Sequence, residues 1–62
     1  MAFLAVNESG CEYVFEWVPF RSRFGNYWDT QRNDAVVELP KGSIAKLIGR
    51  ELTWEDEPVM IE

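Results

Sequence analysis

The chain has no histidine and one cysteine among its 62 residues. Without histidine the commonest metal ligand and the usual neutral-pH proton shuttle are both missing. Ser9, Ser22, Ser43 and Cys11 therefore lack their customary activating base, and neither structural zinc nor a catalytic nucleophile is expected. Cys11 alone forms no intrachain disulfide and suits a reducing compartment. No apolar run approaches the roughly 18 residues of a membrane span. The first residues carry no basic segment and too short an apolar stretch for a signal peptide. A cytoplasmic protein with no membrane association and no cofactor is the expectation. Positive charge is also scarce: six Lys+Arg stand against eleven Asp+Glu, a net charge of −5. A chain so acidic is repelled by phosphates, which disfavours nucleic acid as a partner.

Aromatic residues are plentiful instead. Three Trp, two Tyr and four Phe lie in a chain that is 47% apolar. A domain this short buries only about 60% of its unfolded surface, so large rings are the economical way to build its core. Residues 1–62 are expected to form one small domain.

Residues 2–7 are apolar on both alternating faces, the pattern of a central or doubly covered strand. Asn7–Gly10 is a turn signal, and Cys11-Glu-Tyr-Val-Phe-Glu-Trp17 alternates cleanly. Residues 2–17 thus predict a β-hairpin with an aromatic inner face. Pro19 ends or edges its second strand. Residues 20–34 are the least regular, with turns at Gly25-Asn26 and at residues 32–34 and a short strand at Tyr27-Trp28. Residues 35–39 are β-prone and stop at Pro40.

The last third holds the helix signal. Ser43 is suited to cap it, Ile44, Leu47 and Ile48 share one face, and Gly49 is suited to end it. So short a helix must dock on a sheet to persist. Beyond it, Leu52 and Trp54 alternate with polar residues as in a strand, while Thr53 and Asp56 have the spacing of a small capping turn. Glu55-Asp56-Glu57 forms the expected exposed tip, and Val59–Ile61 a final strand. The fold class is α+β: a small, mainly antiparallel sheet of four or five strands with one short helix near residues 43–49. A partly closed, SH3-like barrel is left open by this pattern.

Chemical motifs are sparse. The acidic tip lacks the alternating ligands and the glycine of a calcium loop, and adjacent turn acids are ordinarily solvated rather than a catalytic pair. No enzyme is expected in a chain this short. Arg21, Arg23, Phe24, Tyr27, Trp28 and Arg32 interleave charge with rings as single-strand-binding surfaces do, but the net charge argues for ordinary packing. Charge is unevenly spread: residues 20–32 hold three Arg and one Asp, whereas residues 51–62 hold five acids and no base. Such a dipole steers partners or supports head-to-tail association.

The run Glu38-Leu-Pro-Lys-Gly-Ser-Ile-Ala-Lys-Leu-Ile-Gly-Arg-Glu-Leu-Thr-Trp-Glu-Asp-Glu-Pro-Val59 resembles the C-terminal part of short uncharacterised proteins of bacteriophages and mobile elements of gut bacteria. The resemblance covers roughly the last third. It implies a small prokaryotic or phage accessory protein, and it carries no activity or site residues with it.

Two functions follow as expectations. One is a small non-catalytic protein-interaction module whose aromatic anchors are Trp28, with Tyr27 beside it, or Trp54. Of the two tryptophans, Trp28 is the expected surface residue and Trp54 the expected core residue. The other is an acidic nucleic-acid mimic that inhibits a DNA- or RNA-binding protein through Glu55, Asp56 and Glu57. So many rings in so small a chain also leave room for a homodimer that buries some of them.

Overall fold

A computed structural model describes residues 1–62, except for the side-chain surroundings of Asn33. Six strands form two antiparallel sheets. β1 (Ala2–Val6) and β2 (Glu12–Phe15) are the predicted hairpin, with Phe3 opposite Phe15 and Val6 opposite Glu12. Its loop is closed by the Asn7 N–H donating to the Cys11 carbonyl at 3.0 Å and the Gly10 N–H to the Asn7 carbonyl at 2.9 Å. β3 (Phe20–Arg21) and β4 (Trp28–Asp29) make a separate two-stranded ribbon. A 3-10 turn leads into β5 (Val36–Leu39), then α1 (Ser43–Ile48) and β6 (Val59–Ile61) follow. The main sheet runs β5-β2-β1-β6 and is open, with β5 and β6 at its edges. The small antiparallel α+β fold with one short helix is thus the fold of this chain. No helix among the described residues is long and apolar enough to cross a membrane.

β1 is central, as its two apolar faces predict, and each face meets a different layer. Leu4 and Val6 point to the helix side, where they pack with Ile44 and Leu52, flanked by Val14, Leu39 and Ile61. Ala5 points the other way and packs with Phe15 and Trp28, flanked by Phe3, Tyr13, Val36 and Trp54. Period-two alternation in a three-layer molecule therefore yields two small cores instead of one.

The helix differs from its sequence reading at both its start and its docking face. Ser43 is its first residue, not its cap, and the Ser43 hydroxyl donates back to the Pro40 carbonyl at 2.6 Å. Gly42 occupies the cap position at φ 94°, where no side chain is available to accept from the first turn. The acceptor comes from β2: the Glu12 carboxylate takes the Gly42 N–H at 2.8 Å and the Ile44 N–H at 2.9 Å. A negative group at the positive end of the helix dipole adds to those two bonds. Gly49 ends the helix at φ 80°, its N–H donating to the Ala45 carbonyl, as predicted. Ile44 is fully buried and Ile48 half-buried, but Leu47 is 60% exposed. With fewer than two turns, α1 docks through one i,i+4 pair, too narrow a stripe to include Leu47.

Two predicted strands are also corrected. Residues 51–55 are not a strand: Leu52 is buried beside α1, and the capping turn that the Thr53 and Asp56 spacing predicts forms instead, with the Asp56 carboxylate accepting the Thr53 N–H at 2.9 Å. β2 stops at Phe15, which leaves Trp17 49% exposed instead of on the inner face.

The Glu12 cap has a measurable consequence. Glu12→Ala is expected to lower unfolding stability by about 1–2 kcal/mol, the range for losing a helix cap. Ser43→Ala is expected to cost about half a kcal/mol or less, because that hydroxyl touches no first-turn N–H. Urea unfolding midpoints at unchanged slope check both; equal losses would return the cap to Ser43.

Candidate functional site

The ribbon β3–β4 lies over the aromatic face of the sheet, and Trp28 fixes it there. Trp28 is 7% exposed and sits among Ala5 and Phe15. Its indole N–H donates to the Val6 carbonyl at 2.9 Å, and its backbone N–H donates to the Asn7 side chain at 2.9 Å. The Val6 carbonyl is available for a simple reason. Asn7 bonds Cys11 across the hairpin, so by alternation the polar groups of Val6 face the other side of β1. β6 pairs there only with Ala2 to Leu4 and stops short. The indole satisfies a carbonyl that the sheet leaves open. Nearby, the Asn26 amide donates to Glu8 at 2.8 Å and holds the ribbon loop against the hairpin loop.

These positions reverse the expected places of the two tryptophans. Trp28 is core and is not a surface anchor, because β4 alternation turns it and its partner Arg21 toward the sheet. Trp54, expected in the core, is half-buried at the edge of the cluster, 5.5 Å from Trp28 in an edge-on arrangement. The Arg21 guanidinium lies over both rings, 4.6 Å from the Trp28 centroid and 5.1 Å from that of Trp54. Arg21 Nη2 donates to the Trp54 carbonyl at 2.9 Å, and Nη1 pairs with Glu57 at 3.0 Å. The basic and acidic segments noted in the sequence thus meet inside one molecule.

The acidic tip is largely engaged as a result. Glu57 holds Arg21, and Asp56, half-buried, closes its own turn on Thr53. Glu55 is exposed, and only its backbone N–H makes a contact, to the Thr53 hydroxyl at 3.3 Å.

Tyr27 is 37% exposed and borders an open cleft of about 450 Å³. Tyr13, Phe15 and Trp28 continue its walls, and Asp29 and Thr30 contribute polar atoms. Asp29 Oδ1 accepts the Thr30 N–H at 2.8 Å. Thr30 is 7% exposed, and its hydroxyl has no hydrogen-bond partner among the described residues. A buried hydroxyl left unpaired costs about 1–3 kcal/mol. Tyr13 stands opposite Glu38 on β5. Burial first, then the Glu38 charge, then the neighbouring Cys11, push its phenol above the ordinary value of 10.0.

Exposed apolar side chains concentrate in one segment of the chain, around β3 and the ribbon loop. Of nine large ones, five lie within residues 17–27: Trp17, Val18, Phe20, Phe24 and Tyr27. Phe24, at the ribbon loop, is 86% exposed. Sequence reading passed over Phe20 and Phe24 as anchors. The alternation Phe20-Arg21-Ser22 carried the signal, since a ribbon with Arg21 inward must turn Phe20 outward. The chain matches no protein-family model, no curated protein and no solved structure.

Two predictions follow from this geometry. Arg21→Lys is expected to cost about 1 kcal/mol, because an ammonium keeps the charge but loses the planar contact with two rings and a carbonyl. Glu57→Gln is expected to cost under about 0.5 kcal/mol, as exposed ion pairs do. Chemical denaturation followed by tryptophan fluorescence decides between ring contact and ion pair. For Tyr13, a raised folded pKa means its stabilising contribution is complete below pH about 10 and is lost as pH rises through the folded value. An ultraviolet titration should show one phenol ionising above the ordinary value, and Tyr13→Phe should remove that step.

Proposed function

We propose that this protein is a small non-catalytic protein-interaction module, acting as a prokaryotic or phage accessory protein in the cytoplasm. Its contact surface is the aromatic segment 17–27, with Phe20, Phe24 and Tyr27 as anchors in place of Trp28. The observation that supports this most directly is the 86% exposure of Phe24, in a segment where Trp17, Phe20 and Tyr27 are exposed as well. Leaving such rings in water forgoes their burial, about 25 cal/mol for each Å² of apolar surface, and contiguous exposed apolar patches mark interaction sites. Aromatic side chains also dominate binding hot spots. The acidic-mimic reading has less support, since two of its three carboxylates are engaged within the chain.

Affinity capture from bacterial lysate with nuclease, at low and high salt, tests the proposal. Phe24→Ser and Phe20→Ser are expected to abolish salt-resistant capture of one reproducible partner. Surface changes of this kind leave stability within about 0.5 kcal/mol, so thermal midpoints verify that the variants fold. Glu55→Gln should leave capture intact. Capture that vanishes with salt and with Glu55→Gln, and survives Phe24→Ser, would overturn the aromatic reading in favour of the mimic.

A further inference from the structure

The cleft beside Tyr27 has a chemical character distinct from the apolar ribbon that borders it. Four rings, those of Tyr13, Phe15, Tyr27 and Trp28, line it, with the Asp29 carboxylate among them and no Lys or Arg in the lining. Glu38 lies directly across from Tyr13 on the same face of the sheet, which places a second negative charge near the mouth. Arg21 touches Trp28 as well, but its charge is countered by Glu57 at 3.0 Å. Thr30 forms part of the lining, but its unpartnered hydroxyl is shut off from the cleft by the atoms around it. Aromatic walls and an acidic residue together suit a group with a cationic tip on an apolar stem.

We propose that this cleft receives a lysine side chain presented by the protein partner. The methylene stem lies against the rings and the ammonium group meets Asp29. The cleft volume of about 450 Å³ falls within the range of small-molecule sites and admits one such side chain. Charge complementarity selects the occupant: Asp29 and Glu38 repel an anionic tip and favour a cation over a neutral group. This assignment deepens the interaction-module reading and rests on it for the source of the lysine.

The test uses the whole protein and a small probe, Nα-acetyl-lysine methylamide, with the norleucine analogue as its uncharged counterpart. Titration followed by two-dimensional NMR is expected to shift resonances of Tyr13, Tyr27, Asp29 and Thr30 with the lysine probe and not with norleucine. Asp29→Asn should weaken lysine binding about fivefold to tenfold, the size of one desolvated cation contact. Thr30→Val should leave lysine binding intact while raising the thermal midpoint of the unliganded protein, because it deletes an unpaired buried hydroxyl. Equal shifts with both probes, no shifts with either, or unchanged affinity in folded Asp29→Asn would each overturn the proposal. Phe24→Ser separates the two readings, since it should leave probe binding intact while partner capture is lost. If the lysine probe fails but Phe24-dependent capture persists, the lysine site alone falls.

Discussion

The buried hydrogen bond from the Trp28 indole to the Val6 carbonyl is the contact on which the arrangement of layers depends. It occupies the point where β1 runs beyond its partner β6, so the shortness of the last strand creates the acceptor that the ribbon uses. Once Trp28 is held there, β4 pairing carries Arg21 inward and Phe20 outward, and the turn at Trp54 closes over the guanidinium. A two-stranded ribbon has too little hydrophobic surface to persist by itself. Anchored at this one tryptophan, it becomes the lid of a second core.

Charge plays an internal part in the same assembly. The positive segment at residues 20–32 and the negative one at residues 51–62 are far apart along the chain and adjacent in the fold. Arg21 joins them by ring contact, by a backbone carbonyl and by one carboxylate. What looks in the sequence like a dipole for recruiting partners is in good part a tie between two loops. The same holds for Glu12, which reads as a polar residue on the outer face of a strand and is the anion at the start of α1.

The sheet was largely legible from residues alone. Apolar residues on both faces marked β1, clean alternation marked β2, Pro40 bounded β5, and Gly49 ended the helix. The two tryptophans were misplaced because exposure in an irregular segment depends on which strand it finds, and Tyr27-Trp28 offers too few residues for periodicity to show a face. Ser43 was misread as a cap because the true acceptor lies 30 residues from Gly42, beyond any local pattern. The candidate site was half legible: Tyr27 stands where expected at a surface, while Asp29 and Thr30 gain their interest only from burial and from the absence of a partner for one hydroxyl.

The long-range cap on α1 also bears on how the chain reaches this structure. A six-residue helix is too short to nucleate by itself, and its first-turn donors are completed only when β2 is already in place. Local helix formation therefore gives the chain no head start. The capped form of α1 requires β2, and non-local contacts of this kind slow folding relative to a helical protein of equal size. A chain in which α1 has not docked would leave the Leu4 and Val6 face of its central strand without the cover of Ile44.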